Sequence, residues 1–291
     1  MIDYSSADTG CQSSMTNEST IYSGNDMDMF REKVYRYYHE HGRNLPWRET
    51  RDPYRITVSE FMLQQTQVDR VLNKYPAFIK RFPDFQMLAN AELRDVIAVW
   101  QGLGYNRRAK MLHDTAKTIM EQFEGTLPED PETLRSLPGI GAATSCEIAA
   151  FAFNRPVVFI ETNIRSVFIH EFFSDNTEVH DRDIMPIIEQ ALDRDNPREW
   201  YYALMDYGVM IKREHGNPSR RSRHHQRQSR FDGSDRQIRG AILRMLTDRH
   251  ELPISVILYE LDAEDTRIRR ILTRLAEEGM VVIRTETVSI P

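Results

Sequence analysis

Residues 137–144 read Leu-Pro-Gly-Ile-Gly-Ala-Ala-Thr and form the most informative stretch of the sequence. Gly139 and Gly141 let the backbone turn where a Cβ would obstruct it, and the alanines that follow predict a new helix. Unpaired N–H groups at the start of that helix, near Ala143 and Thr144, suit an anion such as a DNA phosphate. A plain turn between two helices, without a ligand, is the alternative.

A glutamate followed by glutamines occupies residues 58–68, which read VSEFMLQQTQV. Glu60 is expected near the start of a helix, with Gln64 and Gln65 one turn further on. Amide side chains are costly to bury unless they hydrogen-bond to a specific partner, and base edges would serve. For Glu60 the alternative is an ordinary glutamate favoured by the positive end of a helix dipole.

A glycine-rich turn at residues 102–109 reads GLGYNRRA and carries an aromatic side chain beside two cations. Tyr105 could enter a base step, and Arg107 could bind a phosphate. These residue types together indicate contact with nucleic acid.

With these motifs, residues 30–215 resemble the helix-hairpin-helix DNA glycosylases of the endonuclease III superfamily, above all the A/G-specific adenine glycosylases. The resemblance implies a mainly α fold of two helical lobes, with a base flipped from duplex DNA into a pocket between them. It implies that Glu60, with a pKa raised by burial, is the general acid that protonates the leaving base. Gln64 and Gln65 would fill the gap in the stack or contact the opposing base, and Tyr105 would lie near the base opposite the flipped adenine.

Two site positions differ from the family. Glu161 stands where the family has an aspartate that stabilises positive charge on the sugar, so we expect a catalytic role for it, with Asn163 in support. Ala143 stands where bifunctional relatives carry a lysine that attacks the sugar. The resemblance therefore implies excision without strand cleavage.

The cysteine content also differs from the family. The chain has only Cys11 and Cys146, too few for a four-cysteine iron–sulfur site, and Lys212 stands where the first cluster cysteine would be. We expect no iron–sulfur cluster, no metal and no other cofactor. A basic stretch follows that could bind the DNA backbone instead, or could be a charged linker; its candidate contacts are Arg220, Arg221 and Arg223.

Four segments are expected: a disordered tail at 1–26, the glycosylase domain at 27–215, a basic linker at 216–233 and a winged helix-turn-helix domain at 234–291. In the last of these, Arg267 and Arg270 share one helix face that suits DNA. A protein-binding winged helix is the rival. The β-rich domain with which adenine glycosylases recognise 8-oxoguanine has no counterpart in these residues.

No apolar run is long enough to span a membrane and no signal peptide is evident, so we expect an intracellular protein of the cytoplasm or nucleoid. It would act as a monomer on double-stranded DNA that contains a mismatch or lesion, removing adenine opposite 8-oxoguanine or G. One alternative is a glycosylase for T or U opposite G. Another is a non-catalytic DNA-binding regulator, against which the paired carboxylates Glu60 and Glu161 argue.

Overall fold

The structure is a computed structural model that describes residues 22–174, 176–223 and 230–291. Its described residues form three groups of buried apolar side chains, one in each of two helical lobes and one in a C-terminal unit. The prediction of a mainly α fold is confirmed. None of the described helices is long and apolar enough to cross a membrane.

Helix α1 (Gly24–His41) begins inside the predicted tail. The Ser23 hydroxyl accepts a hydrogen bond from the Asp26 backbone N–H, and the Asp26 carboxylate accepts one from the Ser23 N–H, both at 3.2 Å. This capping box satisfies N–H groups that a helix start leaves without partners, so the expected boundary at residue 26 is wrong. The rest of the predicted tail, residues 1–21, lies outside the described residues.

The first lobe is a continuous run of seven helices. Its core holds the large, fully buried side chains of Phe61, Phe78 and Trp100. The helices are α2 (Pro53–Leu63), α3 (Val68–Arg81), α4 (Phe85–Ala89), α5 (Leu93–Trp100), α6 (Arg107–Gln122), α7 (Pro131–Arg135) and α8 (Ala142–Phe153). Because α8 packs on α2, the glycine hairpin and the glutamine run come together.

The second lobe joins α1 to the helices that follow α8. These are α9 (Thr162–Phe172), α10 (Asp181–Ala191) and α11 (Pro197–Glu214), followed by a 3-10 turn (Pro218–Arg221). Gly208 lets α11 approach α9, because a Cβ there would lie 2.6 Å from the backbone oxygen of Asn163. Pro218 and Ser219 are buried, so the expected linker at 216–233 starts as folded structure. Its residues 224–229 lie outside the described residues.

The C-terminal unit contains three helices and a small antiparallel sheet with strand order β1-β3-β2. Leu252 and Ile283 both pair with Val288 of the central strand. Two strands were expected after residue 279; the third, β1, was not. The winged-helix identity of this unit stays a prediction. Its elements are α12 (Asp235–Arg249), β1 (Glu251–Pro253), α13 (Ile254–Glu260), α14 (Asp265–Glu277), β2 (Val282–Arg284) and β3 (Thr287–Ser289).

Candidate active site

Glu60 lies buried in the last turns of α2, with only 7% of its surface exposed. Burial, with a smaller contribution from the nearby charge of Glu161, raises the pKa of Glu60 to about 8, although a hydrogen bond from Ser59 and the charge of Arg48 act in the opposite direction. The expected position near a helix start is wrong, and the helix-dipole alternative fails with it, since the C-terminal half of a helix disfavours an anion. A buried carboxyl that keeps its proton at neutral pH can act as a general acid.

A third carboxylate, Glu147, comes from α8 and was missed by the sequence analysis. Its side chain is half-buried, accepts a hydrogen bond from Thr144 and interacts with both Glu60 and Glu161. Burial, and then repulsion from those two glutamates, holds the pKa of Glu147 well above its usual range. The signal in the sequence was a single charged residue in the otherwise uncharged helix 142–153.

Glu161 is the N-cap of α9, and its carboxylate is held by the start of that helix. One oxygen accepts hydrogen bonds from the backbone N–H groups of Asn163 at 2.6 Å and Ile164 at 2.8 Å, and the other accepts one from the Asn163 amide at 3.2 Å. The amide oxygen of Asn163 accepts a hydrogen bond from Lys212 at 2.8 Å. The longer glutamate side chain is thus fixed in place, and Lys212 orients the residue beside it.

A buried ion pair lies close to Glu60 and reaches it from the second lobe. Arg48 donates two hydrogen bonds, of 2.8 and 2.9 Å, to the carboxylate of Asp206, which is only 3% exposed. Arg43 donates to the same carboxylate from its backbone and its side chain. The guanidinium of Arg48 also lies 4.6 Å from the centre of the Tyr202 ring. Arg48 is therefore a fixed positive charge close to Glu60.

The hairpin at residues 139–144 has the geometry of an open anion site. Gly139 has a φ of +76°, and a Cβ there would lie 2.6 Å from the Cβ of Met111, so a glycine is required. Gly141 is the N-cap of α8 and makes no side-chain cap, while Ala142 and Ala143 are exposed. The first N–H groups of α8 are thus accessible to an anion.

One arginine ties the two predicted DNA-facing loops together. Arg108 donates hydrogen bonds from one nitrogen to the backbone oxygens of Phe61, Met62 and Gln64, and from the other to atoms of Thr66, Leu103 and Gly104. Each loop holds a residue in the left-handed region, Gln65 with a φ of 54° and Tyr105 with a φ of 46°. Left-handed non-glycine residues cost free energy and persist where surrounding contacts enforce them.

The remaining predicted DNA contacts divide by their surroundings. Gln65, Arg107 and Arg220 are exposed, whereas the Gln64 amide donates to the Thr144 hydroxyl at 3.2 Å and to the Gly139 oxygen at 3.4 Å. Arg221 was expected to contact DNA, but its guanidinium donates hydrogen bonds to backbone oxygens within the second lobe and closes a turn there. The four acceptors are the backbone oxygens of Ile169, Phe173, Ser174 and Asn176.

The other predicted contacts have acidic neighbours. Arg223 is exposed, 3.6 Å from Glu178, while Arg267 and Arg270 both contact Asp235, at 2.7 and 3.4 Å. Within the described part of the chain, no group of three or more His, Cys, Asp or Glu side chains could hold a metal ion.

Residues 58–194 match the family described as "HhH-GPD superfamily base excision DNA repair protein". An adenine DNA glycosylase of Mycobacterium tuberculosis is 34% identical over 231 residues, which cover 72% of this chain and 76% of the relative. An adenine DNA glycosylase of Buchnera aphidicola is 35% identical over 185 residues, covering 63% of this chain. The match spans about half, 53%, of the Buchnera protein.

Solved structures support the fold. A thermostable thymine-DNA glycosylase superposes with a TM-score of 0.61 at 22% identity, covering 67% of this chain and 92% of that one. A trapped endonuclease III–DNA covalent intermediate gives a TM-score of 0.53 at 14% identity, covering 66% and 87%. The prediction of a two-lobed endonuclease III-like fold is confirmed.

Proposed function

Since the chain belongs to the adenine DNA glycosylases of the helix-hairpin-helix superfamily, we propose that it hydrolyses the N-glycosidic bond of an adenine flipped out of duplex DNA, opposite 8-oxoguanine or guanine. The observation that carries this proposal is the buried Glu60 with its raised pKa. With a pKa of about 8, Glu60 is mostly protonated at pH 7.

Excision breaks the bond between the base nitrogen and C1′ of the sugar. Glu60 gives its proton to the leaving adenine, which keeps the bonding electron pair, and positive charge develops on the sugar. Glu161, fixed by the start of α9, stabilises that charge electrostatically. Water then adds to C1′ and passes a proton back to Glu60, which restores the acid.

The reaction stops at the abasic site in this proposal. A strand-cleaving glycosylase needs an amine that attacks C1′ and forms a Schiff base. At the position where the resemblance puts that amine, α8 carries the methyl group of Ala143, exposed in the first turn. We therefore infer a monofunctional enzyme.

Glu147 has the chemistry to recognise the flipped base. A protonated carboxyl presents a hydroxyl donor and a carbonyl acceptor side by side. An adenine edge presents the matching pair, an amino donor beside a ring-nitrogen acceptor. The N3–H and O4 of thymine would also match this carboxyl group. The identity of the excised base therefore has to be tested with several substrates.

The test of function incubates the protein with duplexes that contain one A opposite 8-oxoguanine, A opposite G, T opposite G or U opposite G. We expect strand breaks at adenine in the first two duplexes, and only after alkali treatment. Breaks before alkali would contradict the monofunctional reaction. Breaks at T or U would show that the target base is thymine or uracil and not adenine. Binding to every duplex without release of a base would show that the protein is a non-catalytic regulator.

A matched pair of substitutions tests the role of Glu147. Glu147→Gln keeps a donor and an acceptor without charge, so adenine excision should persist. Glu147→Leu removes both and should lower the single-turnover rate constant on adenine by about 10- to 100-fold, the usual value of one bidentate base contact. Equal rates for the two variants would show that Glu147 does not touch the base.

A further inference from the structure

The C-terminal unit is packed firmly against the first lobe. Leu93 and Ile97 of α5 belong to the same apolar core as Ile242 and Leu246 of α12. At the edge of this contact, the Gln101 amide donates to the Thr247 hydroxyl, and Arg94 contacts His250. The C-terminal unit is therefore fixed beside the loop that carries Tyr105.

An arginine of the C-terminal unit holds that tyrosine. Arg236, in the first turn of α12, donates a hydrogen bond of 2.7 Å to the Tyr105 hydroxyl, and its guanidinium lies 5.5 Å from the centre of the ring. Arg108 lies 5.4 Å from the same ring. Tyr105 is thus held by two cations, one from each unit, while its backbone stays left-handed.

Arg236 is part of a larger basic surface, the arginine ridge, which we define as Arg236, Arg267 and Arg270. Asp235, which precedes Arg236 in the chain, pairs with the two ridge arginines of α14. With Asp235, the three ridge arginines leave an excess of two positive charges, and the side chain of Arg270 remains 56% exposed. Such a surface is complementary to DNA phosphates.

A line of contacts links the hairpin to the arginine ridge. Thr144 of the hairpin contacts Gln64, the Gln64 oxygen contacts Arg108, and Arg108 lies on Tyr105. Arg236 follows as the last member of this line. Thr144 of the hairpin also hydrogen-bonds to Glu147 of the carboxylate group. The proposed reaction needs the strand with the flipped base at this end of the line, which leaves the arginine ridge as the candidate contact for the other strand.

We propose that the arginine ridge binds the DNA strand opposite the flipped base, with Arg236 holding Tyr105 against that strand. The C-terminal unit then contacts the opposing strand directly and does more than attach the protein to DNA. This inference rests on the proposed function, because it takes the substrate to be a duplex with one flipped base.

The test uses the full chain and a duplex with a non-cleavable adenosine analogue opposite 8-oxoguanine. Neutral methylphosphonates replace single phosphates, either in the opposing strand or in the strand with the analogue. For the wild type, modification of either strand should weaken binding about tenfold at the most sensitive positions. In Arg236→Met and Arg270→Ala, the opposing-strand effect should shrink to less than about threefold, and the other strand's effect should persist.

A surface arginine of the second lobe supplies the matched control. Arg194→Ala removes the same charge from an exposed pair with Glu189 and should keep both strand effects. Thermal unfolding of each variant verifies that the C-terminal unit stays packed. The inference is overturned if the ridge variants bind like the wild type, as a protein-binding unit would, or lose sensitivity in the analogue strand instead. Because binding needs no excision, failure of the proposed function would appear separately, as intact adenine in the substrate panel.

Discussion

Glu60→Gln is expected to lower the single-turnover rate constant of base excision by about 10²- to 10⁴-fold while duplex affinity changes little. Glutamine fills the same buried space in α2 but has no proton to give to the leaving base. Rapid-quench measurements at saturating enzyme give the rate constant, and fluorescence anisotropy gives the affinity. Glu121→Gln, at an exposed position of α6, is the control for loss of one charge. A wild-type rate in Glu60→Gln would refute the assigned acid.

The rate constant of the wild type should also depend on pH through Glu60. The wild-type rate constant should be flat up to a pH near 8 and then fall about tenfold per unit, since the active form is the protonated acid.

The stability of the folded protein should depend on the same titration of Glu60. Because the folded pKa of Glu60 is raised above its unfolded value, the unfolded chain loses that proton first, and stability falls as pH rises from about 4.5 to about 8. Glu60→Gln should show a smaller fall, because only Glu147 with its raised pKa still contributes to it, and should be more stable than the wild type at pH 8.5.

Asp206→Ala is expected to cost about 3–5 kcal/mol of unfolding free energy, a large part of the stability of a typical domain. The variant leaves Arg48, with only 7% of its side chain exposed, without its carboxylate. Although burial alone would raise it, hydrogen bonds and charge from Arg48 and Arg43 hold the pKa of Asp206 below its usual value, so the carboxylate is charged. Urea unfolding at pH 7 measures the loss.

An exposed ion pair provides the comparison. Asp28, 74% exposed, pairs with Arg31 at 2.7 Å near the start of α1. Asp28→Ala should change the unfolding free energy by less than about 1 kcal/mol, as surface pairs do. Similar costs for the two variants would contradict the expectation that the buried Asp206 pair matters more for stability than an exposed one.

Local patterns sufficed to predict the hairpin, because two glycines before an alanine-rich run specify a turn and a helix start by themselves. Glu60 was found by its place in a recognisable string, yet its position within α2 was wrong. Helix ends depend on caps such as Asp52, whose side chain accepts a hydrogen bond from the Tyr54 N–H and starts the helix well before Glu60.

Other parts of the site depend on contacts between distant segments. Glu147 joins Glu60 and Glu161 only because α8 packs on α2 and approaches Glu161. Its lone charge in the helix could mark it as unusual but could not indicate those partners. Likewise, nothing near Arg221 in the sequence indicates that backbone carbonyls of the second lobe would accept hydrogen bonds from its guanidinium. The link between Tyr105 and Arg236 joins residues 131 positions apart.

The bonds of Arg108 have a consequence for how the protein meets its substrate. Since one guanidinium holds both loops that are predicted to face DNA, the chain has already lost their conformational entropy on folding and need not lose it again on binding. The loops are preorganised as a single body, so a distortion at one is transmitted to the other. For the same reason, loss of the Arg108 side chain would release both loops together.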